Sequence, residues 1–479
     1  MNLQALAVFI LPLLTGVLLA HLLWPDRTPR GLLLKAPLGI GLGLGVRSLL
    51  YFLYLLLFAG QNWFIVVELV VLMAALVLAL GRERGTGYRV LPTGLPVRLA
   101  GPQRALFVIA GIICLISSLT TVNYLLRRRQ GDWDAWMMYN RAARFTYIDQ
   151  AHWLQSFSPR MDPLFHPDYP LLLAMNIGAG WQALGRDSAG VPMIQSALFA
   201  LGCVGLIALL AGSAKSSGQG ALALILLWGV PAFVNEGARQ MADVPLAFYV
   251  LATGGMLFMY AREAHPGLLV LAGLTAGLAA WTKNEGAVLV IGATVALLVA
   301  LRGRYAWKSM ASYVAGLAVP LAVLLYFKIS IAPPGDMLGG GAARLTLQAS
   351  DFARHAEILR YFWLEMISFG SWGIGPWFIG IIPILALYYA LFHAPILGPE
   401  RRGYYAVGLI LVLQLVGDYG AFLITPYDLT WHLSYSTQRL IIQVFPLFLF
   451  LIMAASSPVE ALLGSSPGQS NGVHHATDN

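Results

Sequence analysis

The chain has 479 residues, 58% of them hydrophobic and 11% charged, with a formal net charge of +8 and a mean hydropathy of +0.72. Soluble domains carry about 25% charged residues, so an ordinary soluble protein is excluded and an all-α polytopic membrane protein is expected. The positive charge is no sign of a nucleic-acid partner, because basic residues beside membrane spans set topology. Cys114 and Cys203 lie in apolar runs, which leaves no disulfide framework and no zinc spacing.

A spanning helix needs roughly 20 mainly apolar residues. Spans are predicted near 3–24, 36–59, 62–81, 105–126, 190–212, 219–234, 244–261, 267–282, 286–301, 308–328, 371–392, 404–424 and 438–455. The first 24 residues lack a charged n-region and a cleavage site, so they read as a helix rather than a signal peptide. Lys and Arg collect on the cytoplasmic side of short loops. Segment 82–104 holds Arg82, Arg84, Arg89, Arg98 and Arg104 against Glu83 alone, and is assigned inside. Counting outward places Lys215, Arg262, Arg302, Arg304, Lys308, Arg401 and Arg402 inside as well. The apolar stretch 169–185 would break this parity if it crossed fully, so it is expected as a juxtamembrane or half-inserted helix on the outer side.

The outer side then receives segments 127–168, 235–243, 283–285, 328–370 and 425–437, which carry most of the unusual polar residues. Polar groups at the ends of apolar helices are costly unless they face protein or a water-filled cavity. Their accumulation predicts one outward-facing cleft. Arg127, Arg128 and Arg129 stand against the positive-inside trend, either holding an anionic neighbour such as a lipid phosphate or snorkelling to headgroups.

"GDWDAW" follows with Asp132 and Asp134, of which at least one can look into the cleft and serve as a general base; the alternative is a helix cap or a solvated loop acid. "FHPDYP" supplies His166 and Asp168 between prolines that fix the loop. "PAFVNEGARQMADVPL" places Glu236, Arg239 and Asp243 between spans, and the last two, four apart, could simply pair on one helix. In "AAWTKNEGAV", Lys283 and Glu285 sit between apolar runs with almost no loop. A lysine there needs an acidic partner or a phosphate. "TPYDLTWHLSYSTQRL" adds His432 and Arg439 among aromatics that also suit an interfacial belt. Neither a P-loop nor a dinucleotide glycine fingerprint is present: "GLGLG" (41–45) lies in a span and "MLGGGAA" (337–343) in an outer loop. Asp, Glu and His near one another in these segments permit a divalent cation, but no ligand spacing demands one.

In order, "DAWMMYNRAARF", "HPDYPLLLAMNIGAGWQALG", "PAFVNEGARQMADVPLAF" and "LAGLTAGLAAWTKNEGAVLV" cover roughly residues 105–305. This series resembles the GT-C membrane glycosyltransferases, in particular the branch of protein O-mannosyltransferases and lipid A aminoarabinose transferases. It departs from the family pattern where Ala135 follows Asp134 in place of a second acid, and where Asp168 replaces a usual proline. The resemblance implies a GT-C-like bundle of about thirteen transmembrane helices with outer-face juxtamembrane helices. The expected division is 1–104 as extra N-terminal helices with a basic cytoplasmic loop, 105–455 as the catalytic membrane domain, and 456–479 as a polar tail.

The implied activity moves a sugar, hexosyl or pentosyl, from a polyprenyl-phosphate donor to a hydroxyl of an envelope glycan, lipid or protein. Asp134 matches the catalytic acid of the family's first outer loop, with Asp132 beside it. Arg239 and Asp243 match its second outer loop, and Lys283 matches the lysine near the lipid phosphate. His166, Asp168, Glu285, His432, Arg439 and Arg127–Arg129 complete the expected substrate site, on the non-cytoplasmic face of a bacterial inner or plasma membrane. The competing expectation is a transporter or flippase of an anionic lipid or lipid-linked glycan, which symmetric repeats and midspan charges would favour.

Overall fold

The computed structural model describes residues 3–85, 101–301, 306–335, 341–371, 380–396 and 398–462, and every regular element among them is helical. Lipid offers no water to a bare backbone, and helices satisfy their own amide groups. The chain opens with α1 (Leu3–Ala7), α2 (Ile10–Leu23), α3 (Pro29–Phe58), α4 (Phe64–Gly85) and α5 (Gly101–Arg127). Then come α6 (Arg141–Ile148), α7 (Leu172–Leu184), α8 (Gly190–Ala214), α9 (Ser217–Trp228) and α10 (Pro231–Ala238). They are followed by α11 (Asp243–Glu263), α12 (Pro266–Thr282), α13 (Gly286–Val299) and α14 (Ala306–Ser330). The last group is α15 (Gly341–Ala349), α16 (Phe352–Ser368), α17 (Ile381–Phe392), α18 (Glu400–Ile424), α19 (Leu429–Ala455) and α20 (Val459–Leu462).

Among the described residues nine helices are long and apolar enough to cross a membrane, or ten if α9 and α10 form one bent span. Helices α12, α13 and α17 are apolar but shorter. The all-α polytopic class is borne out. The span expected at 219–234 is not straight: α9 and α10 meet at 68°. Pro231 at the first turn of α10 explains the break, because proline lacks an N–H and disfavours helix in the residue before it. The last span begins earlier than expected, at Leu429, where the Asp428 carboxylate accepts the Trp431 N–H at 2.8 Å and caps α19. Arg89, Arg98, Arg302, Arg304, the glycines at 339 and 340, positions 372–379 of a predicted span and the tail from 463 lie outside the described residues.

Burial sorts the helices. In their most apolar windows α11 and α19 are 89% and 83% buried, whereas α4 and α5 are 22% and 17% buried and present most of their surface to lipid. The first helices share the central core. A Cβ at Gly43 of "GLGLG" would fall 1.9 Å from the Pro12 carbonyl, so small residues let α2 and α3 touch backbone to backbone. The Tyr249 hydroxyl donates to the Gly41 carbonyl at 2.8 Å, and the Trp281 indole donates to Ser48 at 2.8 Å.

Of the two forms expected for 169–185, a juxtamembrane or a half-inserted helix, α7 is not one that lies on the surface. Residues Leu171–Trp181 are buried throughout, and the Asn176 amide donates to the Leu44 carbonyl, in the middle of α3, at 2.8 Å. Thirteen residues rise only about 20 Å, short of a bilayer core of about 30 Å, so α7 is a half-length helix enclosed by protein.

The two ends of the bundle differ as the loop charges suggest. At one end Arg262 pairs with Glu400 at 3.3 Å and donates to the Ser213 carbonyl at 2.7 Å, which brings three basic loops together. The other end gathers the loops after α5, α10, α12, α14 and α18.

Candidate active site

The second end is built by two loops that clasp each other. Past α5, Gly131 adopts φ +77°, and a Cβ there would meet the Arg239 carbonyl at 2.7 Å. The Asp132 N–H donates to that same carbonyl at 3.0 Å. On the facing loop Gln240, at φ +62°, ends α10 and donates its amide to the carbonyls of Arg128 and Arg129 at 3.2 and 3.3 Å. The break at Gln240 overturns the simple Arg239–Asp243 helical pair, because α10 and α11 are separate helices and these two side chains turn to different partners. Arg239 binds Asp132 at 2.7 Å and Glu236 at 2.8 Å. Asp243 begins α11, where the helix dipole favours a negative charge.

Asp243 is fully buried and completely partnered. One carboxylate oxygen accepts from Lys283 at 3.0 Å and from Gln443 at 2.7 Å. The other accepts from Arg439 Nε at 3.0 Å and Nη2 at 2.8 Å. The same Arg439 Nη2 reaches Asp134 at 2.7 Å, and Lys283 also holds Glu285 at 2.7 Å. Lys283, expected to need one acid or a phosphate, thus has two acids. Arg239, Lys283 and Arg439 each hold two carboxylates, and the second chain runs Asp134–Arg439–Asp243–Lys283–Glu285. Such groups are stable in a low-dielectric interior only because each is paired; removing one partner of a buried pair typically costs 3–5 kcal/mol.

Asp134 lies on this chain and Asp132 does not. Burial by itself pushes the Asp132 carboxyl up, but the Arg239 guanidinium, through charge and hydrogen bond, and the Trp133 N–H outweigh it and hold Asp132 below the ordinary 3.8. After Asp134 the segment Ala135–Asn140 winds as a π-helix, so the α-helical spacing that would set Met138 beside Asp134 does not apply. An i→i+5 turn brings Tyr139, rather than Met138, under Asp134, and such turns recur at functional sites. Tyr139 is buried beside Lys283, Asp134 and Asp243, and that burial pushes its hydroxyl far above the usual range, so it stays protonated and can donate. Arg141 instead donates to Ser156 at 3.2 Å and lies 4.9 Å from the Phe165 ring.

The remaining expected residues are placed less centrally. His166 adopts φ +42° and leans on the Tyr169 ring at 4.7 Å. Asp168 is 3.7 Å from Lys328, whose ammonium also donates to the Asp168 carbonyl and to Asn284 at 2.9 Å. Lys328 therefore ties the "FHPDYP" loop to the residue beside Lys283. His432 contacts Thr425 at 2.9 Å and packs on Phe422, two turns from Arg439, and is not drawn into the ion-pair chain. Arg127 and Arg129 are exposed, and Arg128 approaches Asp132 at 3.5 Å. Among the described residues no cluster of three or more His, Cys, Asp or Glu side chains is arranged to hold a metal, so the permissive reading for a divalent cation gains no support.

Tyr139, Gln240, Lys328, Asp418 and Gln443 were not foreseen. Asp418 carried a signal, an acid inside an apolar span. It is buried behind Glu285, with one oxygen 3.5 Å from Gln414 and the other without a hydrogen-bond partner among the described residues.

Residues 168–327 match the family model described as dolichyl-phosphate-mannose-protein mannosyltransferase. This is a GT-C-type glycosyltransferase family. The resemblance read from the sequence is borne out over these residues, and at the coarse level the match supports a membrane glycosyltransferase with a lipid-linked sugar donor. The match holds Arg239, Asp243, Lys283 and Glu285 and stops short of Asp134 and Arg439 on either side. No curated protein and no solved structure matches the chain.

Proposed function

We propose that the chain moves one sugar from a polyprenyl-phosphate donor to a hydroxyl on the non-cytoplasmic face, with inversion, and that Asp134 is the general base. One arrangement carries the reading: the Asp134–Arg439–Asp243–Lys283 chain, which joins a partly exposed carboxylate to cations at the end of the bundle. Asp134 takes the acceptor proton as the acceptor oxygen bonds to the anomeric carbon. The bond from that carbon to the phosphate oxygen breaks, and the polyprenyl phosphate leaves with the electron pair. Arg439 and Lys283 stabilise the charge that develops there; fixed donors of this kind are worth about 3 kcal/mol each where water is excluded.

Every cation of the chain already holds carboxylates, so a donor phosphate on Arg439 competes with them. Asp134, with its side chain 15% exposed, is the displaceable partner of Arg439, whereas Asp243 is fully buried at the start of α11. Phosphate on Arg439 frees Asp134 at the moment a base is required, which makes donor binding precede catalysis.

The test is transfer of radiolabelled sugar from polyprenyl phosphate by purified protein in the absence of any electrochemical gradient. Transfer supports the enzyme; movement of the lipid that occurs only with a gradient replaces it with a transporter.

A further inference from the structure

Four exposed aromatic side chains stand at the mouth of the Asp134–Arg439 pair, and the chemistry above does not use them. Trp133 and Trp136 lie on either side of Asp134 in the chain; their rings meet edge to face at 4.9 Å and are 48% and 40% exposed. Trp431 and Tyr435, one turn apart on α19, stack at 5.9 Å with an interplanar angle of 3° and are 56% and 39% exposed. The Arg439 guanidinium lies 5.4 Å from the centre of the Tyr435 ring, and the same guanidinium holds Asp134. Two aromatic platforms therefore adjoin one carboxylate.

A membrane belt uses single rings spread around the bundle. Trp307, 69% exposed at the end of α14 far from Lys328, fits that description. The platforms differ in being preformed pairs, each attached to a member of the ion-pair chain. Carboxylates and hydroxyls surround them: the Asp132 side chain is 32% exposed, and the Thr430 hydroxyl donates to Glu357 at 2.5 Å. A sugar ring suits this mixture. Its C–H face rests on the electron-rich face of an aromatic ring, while the hydroxyls on its rim bond to carboxylates.

We propose that the two platforms form the acceptor subsite and that the acceptor is a saccharide chain, stacked so that one hydroxyl is presented to Asp134. This rests on Asp134 being the base of a glycosyl transfer. Full-length protein in neutral-lipid nanodiscs is titrated with fluorescent hexose and pentose tetrasaccharides and with a serine- and threonine-containing peptide of similar size. At least one tetrasaccharide binds, and Trp133→Ala or Trp431→Ala weakens it about tenfold, the scale of one good ring contact. Trp133→Phe keeps most of the affinity and Trp307→Ala keeps all of it. The subsite is overturned if no tetrasaccharide binds, if the platform variants bind as the parent does, if Trp307→Ala loses as much, or if the same rings bind the peptide instead. Platform-dependent saccharide binding without sugar transfer from any polyprenyl phosphate overturns the transfer reading and leaves the saccharide site standing.

Discussion

Arg439 and Asp134 are 305 positions apart in the chain, and their charged groups meet at 2.7 Å. Neither lies in the segment that matches the family model. The contact joins the loop after α5 to the last long helix and links the proposed base to the buried Asp243.

That link separates the two aspartates of "DWDAW". Asp134→Asn is expected to fold and to lose single-turnover transfer by about 10² or more, as loss of a general base does. Asp132→Asn is expected to retain most of its transfer and to lose stability, because Asp132 holds Arg239 and the loop around it. An inactive Asp132→Asn beside an active Asp134→Asn would reverse the assignment.

Lys283→Ala removes one cation from the proposed phosphate site and one partner from buried Asp243. Charge-assisted contacts are worth about 1.5–3 kcal/mol, so donor KM should rise about tenfold or more while acceptor KM changes little. Thermal unfolding should fall alongside it. A variant that unfolds earlier yet keeps its donor KM would make Lys283 structural.

Asp243→Asn is the most disruptive single change expected at the site. It leaves Arg439 and Lys283 with one carboxylate each, Asp134 and Glu285, and removing one partner of a buried pair typically costs about 3–5 kcal/mol. Poor recovery of folded protein from membranes, against normal recovery of Asp134→Asn, checks this. Equal recovery of the two would mean that Asp243 is not the anchor.

The Asp132–Arg239 clasp has a pH signature. Asp132 is held below its ordinary 3.8, so it contributes stability that is fully present above that value and is lost as pH falls through the lowered one. The unfolding temperatures of wild type and Asp132→Asn should differ by a constant amount from pH 7 down to about 4 and converge only below it. Convergence already near pH 6 would show that the clasp does not depend on that charge.

Sidedness is tested with single cysteines in a background lacking Cys114 and Cys203. Leu164, 58% exposed beside the site loops, suits a probe, whereas Ser156 is fully buried. Leu164→Cys should react with a membrane-impermeant thiol reagent in intact cells, and Ser217→Cys, at the opposite end, only after permeabilisation. The reverse pattern would put the site on the cytoplasmic face.

Composition and apolar run length by themselves determined the helical membrane class, because lipid leaves a backbone few alternatives. The ordered motifs likewise pointed to the family whose model matches residues 168–327, and the expense of charge at span ends marked Lys283, Arg239 and Arg439. Partnership was left to the tertiary structure. Lys283 reads locally as a partner of Glu285, yet Asp243 binds it from 40 positions away. Arg239 and Asp243 read as a helical pair until Gln240, in a left-handed conformation, parts their helices. An α-helix after Asp134 would set Met138 beside it, and a π-helical turn substitutes Tyr139. Buried charges select whichever partners the whole bundle delivers, and that delivery depends on helix breaks and packing between segments far apart in the chain.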